Sequence, residues 1–128
     1  YATGEPFVRK DLVEFVAYAK KIGIEYVFIT TNGALSTPER AKPVLDAGLD
    51  SVKFSVNAGT RESYKKIHGS DDFDKVISHI RWFRKYRDES GLRYGLYFSM
   101  VPTQATEGEW PLLQALLAPY VDDVNLRG

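Results

Sequence analysis

The stretch Ser51-Val52-Lys53-Phe54-Ser55-Val56-Asn57 constrains the chain more than any other. Val52, Phe54 and Val56 recur with period two, and Lys53, Ser55 and Asn57 fill the alternate positions. Side chains alternate across a strand, so the stretch reads as a β-strand with one apolar and one polar face. Helical patterns flank it on both sides, so its sheet neighbours are expected to be parallel and reached by crossover helices. A parallel strand covered by helices on both faces is apolar on both. This one is apolar on one face only.

The same asymmetry recurs in three further strand candidates. In Glu25 to Asn32, Val27 and Ile29 oppose Tyr26, Phe28, Thr30 and Asn32. In Arg93 to Val101, Tyr94, Leu96, Phe98 and Met100 oppose Arg93, Gly95, Tyr97, Ser99 and Val101. In Asp123 to Arg127, Val124 and Leu126 oppose Asp123, Asn125 and Arg127. Each strand offers one face to a helix and a more hydrophilic face to something else, most simply the lumen of an open or incomplete barrel holding a polar ligand. The expected fold is α/β: a partial (β/α) barrel of parallel strands with helical crossovers.

At 128 residues the chain is one domain or less, because a complete eightfold α/β barrel takes roughly 250 residues. The first residue is Tyr1 and the last, Gly128, follows a strand candidate, so residues 1–128 read as a single-domain fragment of something longer. Seventeen basic and seventeen acidic residues cancel, so no global field favours nucleic acid or an anionic membrane. With no cysteine, neither a disulfide nor a thiolate metal site can come from this chain alone. No apolar run approaches the roughly 20 residues that span a bilayer, and no signal peptide is visible. The expected compartment is the cytoplasm.

In order, Tyr1 to Thr3 reads as the tail of a strand, followed by the turn Gly4-Glu5-Pro6. Val8, Leu12, Phe15, Val16, Ala19 and Ile22 recur at helical spacing, with Gly23 as the stop and Arg9, Lys10, Glu14, Lys20 and Lys21 toward solvent. After the strand ending at Asn32-Gly33, Ser36-Thr37-Pro38-Glu39 reads as a helix start, and Pro43 is expected to kink that helix or delay it. Thr60 caps a short helix through Ile67 that Gly69 stops, and Phe73, Val76, Ile77, Ile80 and Phe83 mark a long helix reaching about Glu89. The basic run Lys75, Arg81, Arg84, Lys85 and Arg87 on that helix reads as a solvated face. Pro102 to Thr106 is a polar loop, and Trp110, Leu113, Leu116, Leu117 and Tyr120 mark a last helix.

Ligands of βα units gather at the carboxyl ends of the strands. Those ends are Gly4-Glu5-Pro6, Thr30-Thr31-Asn32-Gly33, Ser55-Val56-Asn57, Ser99 to Gln104 and Leu126-Arg127-Gly128, all rich in small polar residues or glycine. Hydroxyls and amides donate and accept, Glu5 supplies charge for a cationic group, and a zwitterionic, ribose-bearing small molecule suits the set.

Gly4-Glu5-Pro6, Thr31-Asn32-Gly33, Ala47-Gly48-Leu49-Asp50 leading into Ser55-Val56-Asn57, and Tyr64 with Ile67-His68-Gly69 and Phe73-Asp74-Lys75-Val76 together resemble the radical S-adenosylmethionine superfamily. The resemblance covers nearly the whole chain and is sharpest from Gly4 to about Ile80. It implies a partial barrel of six units, in which S-adenosylmethionine bound at a four-iron four-sulfur cluster is cleaved to a 5'-deoxyadenosyl radical. By position, Gly4 and Glu5, with Thr3, would hold the methionine amino group. Ser55 and Asn57 would take ribose hydroxyls or the methionine carboxylate, Thr30 and Asn32 would line the cavity, and Val101 and Arg127 would pack near adenine.

The chain also departs from the family pattern. The three-cysteine cluster motif lies upstream of Gly-Glu-Pro, so this chain would start after it, be truncated at its N-terminal edge and carry no radical chemistry alone. Thr3 stands where many members have Gly, and Asn57 where many have Asp. An exposed parallel edge would invite self-association. His68 and His79 read as structural, having no partners at metal-ligand spacing, and Lys53 reads either as snorkelling to the surface or as a substrate or carboxylate contact. Two other readings stand beside the enzyme: a cysteine-free barrel used as a binding or scaffold module, and a piece of an aldolase-like barrel with Lys53 as a Schiff-base amine.

Overall fold

The computed structural model of the chain describes residue 7 and residues 11–100 and 108–126, with residues 123–126 described by their backbone alone. Among these, helices and strands follow one another as α1 (Leu12–Lys21), β1 (Phe28–Thr31), α2 (Pro38–Asp46), β2 (Ser51–Ser55), α3 (Arg61–His68), α4 (Phe73–Ser90), β3 (Gly95–Met100), α5 (Trp110–Leu117) and β4 (Asp123–Leu126). The four strands form one parallel sheet in the order β1-β2-β3-β4. Each strand pairs with the next in sequence, which is the arrangement of a partial (β/α) barrel.

The register sorts the strand residues into two kinds of row. Ile29, Val52 and Leu96 align, as do Thr31, Phe54 and Phe98, and all six are buried. Against them pack Val16 of α1, Val44 and Leu45 of α2, Ile80 and Phe83 of α4, and Leu113 and Leu117 of α5. Phe54 and Phe83 meet edge to face with centroids 5.1 Å apart. Burial of a large apolar side chain is worth about 1.5–3 kcal/mol, so this face supplies most of the drive for folding. In the opposite rows, Phe28 aligns with Ser51 and Gly95, Thr30 with Lys53 and Tyr97, and Ser55 with Ser99. Thr30, Lys53, Ser55 and Tyr97 are half-buried, whereas Ser51 and Ser99 are buried, so this face is open in part.

The elements differ from expectation where polar groups intervene. Strand pairing begins at Phe28 rather than Glu25, and just ahead of it the Val27 N–H donates to Asp50 Oδ2 at 2.7 Å while the Val27 carbonyl accepts from Asp50 N at 2.8 Å. Thr37, not Ser36, caps α2, accepting from Arg40 N at 3.4 Å, while Ser36 Oγ donates to Gly33 O at 3.0 Å. Pro43 neither delays nor ends α2. Both Pro43 and Glu39 are exposed, so the Glu39 carbonyl that loses its N–H partner faces water. Ile22, expected in the apolar stripe of the first helix, is 56% exposed at its end. Thr60 and Gly69 bound α3 as expected, with Gly69 at φ +76°.

Two lysine and arginine residues expected in solvent are instead structural. Lys20 of α1 donates to Asp50 Oδ2 at 2.9 Å, and Arg87 of α4 donates to both oxygens of Asp122 at 2.7 and 3.0 Å. Asp122 also accepts the Leu96 N–H at 2.8 Å, as Asp50 accepts that of Val27. An aspartate preceding one strand thus ties the start of the neighbouring strand to a basic residue on the preceding helix, twice. Arg84 pairs with Asp88 one turn on.

The hydrogen bond from Arg87 holds the Asp122 carboxyl below its ordinary range, against burial and with help from the Leu96 N–H. A carboxylate with a depressed folded pKa adds stability that is present above its unfolded pKa, about 3.9, and lost as pH falls through the folded value. Acid should therefore lower the thermal midpoint of the wild type more steeply below about pH 4 than that of Asp122→Asn, which keeps an acceptor for Leu96 but carries no charge. Parallel midpoint curves for the two proteins would remove Asp122 from the acid response.

Candidate functional site

The open face of the sheet and the carboxyl ends of its strands define the site. Adjacent strands lie about 4.8 Å apart and alternate residues roughly 6.6 Å apart along a strand. Thr30, Lys53 and Tyr97 therefore form a row across the sheet, with Ser55 and Ser99 one row nearer the carboxyl ends. The backbone register continues these rows to Asp123 and Asn125. Nearer the amino ends the row is filled by aromatics: the Tyr26 hydroxyl and Ser51 Oγ share a hydrogen bond of 2.6 Å, and the Tyr26 and Phe28 rings lie 5.9 Å apart.

Of the expected site residues, Thr30 and Ser55 stand on this face. Asn57 lies just past β2, where Val56 N still donates to Ser99 O at 3.1 Å. Buried Val56 and Ala58 on either side keep Asn57 on the lumenal parity. Asn32 follows β1, and its Oδ1 accepts from Ala34 N at 2.9 Å, so its amide oxygen is committed to the turn. Thr3, Gly4, Glu5, Val101 and Arg127 lie outside the described residues.

The loop after β1 is pinned from below. Gly33 has φ +85°, and a Cβ there would lie 2.9 Å from Val76 Cγ1. Its carbonyl accepts from Ser36 Oγ and from His79 Nδ1 at 2.6 Å, which fixes the proton of a neutral His79 on Nδ1. His79 is thus a buried structural residue that holds the loop after β1 through its backbone. His68 stacks on Tyr64 with centroids 4.3 Å apart, and burial lowers its pKa. No group of three or more metal-ligating side chains occurs among the described residues.

A second fastening was not legible in the sequence. Glu109, just before α5, accepts from Gly59 N at 2.7 Å and from Ser63 Oγ at 2.6 and 2.7 Å, with Thr60 Oγ1 at 3.5 Å. Its carboxylate thus sits at the amino end of α3, where the helix dipole favours an anion. A Cβ on Gly59 would come within 2.7 Å of the Glu109 carbonyl oxygen, so glycine permits the approach. Local pattern gives Glu109 only the look of an acid flanking a helix start, with nothing to point fifty residues back.

A parallel sheet joined by helical crossovers, with hydroxyl-bearing residues on the face away from the core, belongs to the partial α/β-barrel class, in which ligands gather at the carboxyl ends of the strands. The family model of the radical SAM superfamily matches residues 1–111, and the chain belongs to that family. A probable GTP 3',8-cyclase of Saccharolobus solfataricus is 46% identical over 78 residues, covering 61% of this chain and 25% of the relative. One from Metallosphaera sedula is 41% identical over 78 residues, covering 61% of this chain and 24% of the relative. The matched stretch spans about a quarter of these relatives. A crystal structure of a domain of pyruvate-formate lyase-activating enzyme from Bacteroides vulgatus matches with a TM-score of 0.63 at 11% identity, covering 100% of this chain and 97% of that one, and so shares the fold.

Membership implies S-adenosylmethionine and a four-iron four-sulfur cluster as cofactors of the protein as a whole. The hydroxyl rows of Thr30, Ser55 and Ser99 fit a ribose- and amino-acid-bearing ligand. The cluster is different: with no cysteine in 128 residues the chain offers it no thiolate.

Loss of the His79 anchor should be felt as stability. His79→Ala leaves the Gly33 carbonyl one donor short and opens a cavity, at an expected cost of about 1–3 kcal/mol, read from urea midpoints; an unchanged midpoint would mean the loop holds itself. For Glu109→Ala, amide exchange at Gly59 is expected to speed by about tenfold or more while that of Val52 does not change. Unaltered exchange at Gly59 would show that the carboxylate contributes nothing to the fastening.

Proposed function

We propose that residues 1–128 are the ligand-facing middle of a radical S-adenosylmethionine enzyme, and that Thr3, Gly4, Glu5, Thr30, Asn32, Ser55, Asn57, Val101 and Arg127 contact the cofactor. The observation that carries the reading is the uncovered hydroxyl-bearing face of the sheet, joined to family membership over residues 1–111. When bound, the cluster supplies reductive cleavage of S-adenosylmethionine to a carbon radical. The chain's own part is to hold the cofactor by hydrogen bonds at the strand ends and to present a substrate in the lumen. Ser55 suits a ribose hydroxyl or the methionine carboxylate because a hydroxyl can donate to either. His79 and Glu109 fix the loops that carry Asn32 and Asn57.

The relatives' name gives a purine nucleoside triphosphate as the first substrate to test. A cluster that must be reduced before use suits the reducing cytoplasm. Among the described residues no helix is long and apolar enough to cross a membrane. Among the described residues β1 lies at one edge of the sheet, beside exposed Ile24, Tyr26 and Phe28, and copies of the isolated chain would associate there.

Reconstitution with iron and sulfide tests the reading. The protein in its complete reading frame is expected to turn brown and to release 5'-deoxyadenosine from S-adenosylmethionine under reducing conditions, while residues 1–128 alone release none. An iron-replete protein that never binds S-adenosylmethionine would favour a scaffold role. Trapping of a carbonyl compound by borohydride at Lys53 would favour the aldolase-like alternative.

A further inference from the structure

The lumenal rows of β1, β2 and β3 contain Phe28, Thr30, Ser51, Lys53, Ser55, Gly95, Tyr97 and Ser99. Seven of these eight are neutral and Lys53 is a cation, and on β4 the rows continue to Asp123 and Asn125. Val52 and Phe54 on either side of it are fully buried in the core, so alternation directs Lys53 into the lumen, where it is half-buried. Its row lies one step below Ser55 and Ser99. A lysine stem is about as long as that step of roughly 6.6 Å, long enough for the ammonium to reach the level of the hydroxyls.

Tyr97 pairs with Lys53 across the β2–β3 ladder. Its ring is folded down over Gly95: a Cβ at Gly95 would lie 2.6 Å from Tyr97 Cε2 and 2.7 Å from its hydroxyl. Any side chain at position 95 would therefore push the ring up the lumen, beside Lys53. Gly95 has no positive φ to explain it. What its missing side chain does is stow an aromatic ring at the floor.

We propose that Lys53 is the anion seat of the lumen, receiving a phosphate or carboxylate of the bound small molecule, and that Gly95 keeps the seat open by holding the Tyr97 ring down. The proposal rests on the reading of the lumen as a ligand site. A half-buried ammonium, in a row that continues through Tyr97 to Asp123 on β4, makes charge-assisted hydrogen bonds to an anionic oxygen without competing fully with bulk water. Lys53 is also engaged within the fold, so the test must part a ligand contact from an internal one.

The anion belongs either to the substrate or to the carboxylate of S-adenosylmethionine, and two titrations separate these. Calorimetry on the protein in its complete reading frame, reconstituted with its cluster, would measure inorganic tripolyphosphate and S-adenosylmethionine separately on the wild type, Lys53→Met, Lys53→Arg, Gly95→Ala and Gly95→Ala/Tyr97→Ala. Lys53→Met should weaken one of the two by about ten- to a hundredfold, with Lys53→Arg retaining most of the affinity. Weakened tripolyphosphate binding assigns the seat to the substrate, and weakened S-adenosylmethionine binding to the cofactor. Gly95→Ala should weaken the same ligand, and the added Tyr97→Ala should restore it.

Affinities for both ligands that are alike in the wild type and Lys53→Met would overturn the proposal, most clearly if Lys53→Met also melts lower, as loss of an internal contact requires. Should Lys53→Met not fold, weakening in Gly95→Ala with rescue by the double variant still supports the seat, and unchanged binding in Gly95→Ala overturns it. Failure of the wild type to bind S-adenosylmethionine at all would sink the underlying reading instead.

Discussion

Helices pack on one face of the sheet, and the rest of the molecule follows from that one-sidedness. The buried rows of Ile29, Val52, Leu96, Phe54 and Phe98 each gain about 1.5–3 kcal/mol per side chain by meeting the helices. A second helical layer over Thr30, Lys53, Ser55 and Ser99 would bury little apolar surface. It would also strand hydroxyls and an ammonium, at about 1–3 kcal/mol for each unsatisfied group and more for a charge. The balance favours leaving that face open, so the hydrophilic strand residues share a hollow in place of a core.

Polar groups are divided between the two ends of the sheet according to what they do. At the amino ends, Asp50 and Asp122 are consumed by the fold, each satisfying a strand N–H and a basic side chain from the preceding helix. A hollow of about 490 Å³ near Arg87, Gly95 and Asp122 lies at this end, and its charged walls already serve that clasp. At the carboxyl ends the anchors act on backbone: His79 on Gly33 O, Glu109 on Gly59 N. Both anchors hold their loops through the main chain, at the end of the sheet where the ligands of α/β barrels gather.

What was legible in the sequence is what depends on periodicity and local caps. The alternation in Ser51 to Asn57 gave the strand, its parallel neighbours and the polar face, and the Thr60 and Gly69 signals gave both ends of α3. Pro43 does not delay α2, because the local rule ignores exposure, and here both Pro43 and Glu39 lie on the exposed side of the helix. Lys20 and Arg87 misled because a basic residue on a helix flank looks solvated until the aspartate on a later connection is brought beside it. Glu109 and the Gly95–Tyr97 fit were invisible for the same reason, or because a glycine in a strand does not say what lies over it.

The absence of native cysteine makes each introduced thiol a unique probe of which face is open. In the folded chain, Lys53→Cys, Ser55→Cys and Tyr97→Cys should react with a charged, water-soluble thiol reagent at rates near those of the unfolded protein. Val52→Cys, Phe54→Cys and Leu96→Cys should react only on unfolding. Protection of positions 53, 55 and 97 as strong as that of 52, 54 and 96 would mean that the polar face is covered, and a covered face contradicts the lumen on which the cofactor reading stands.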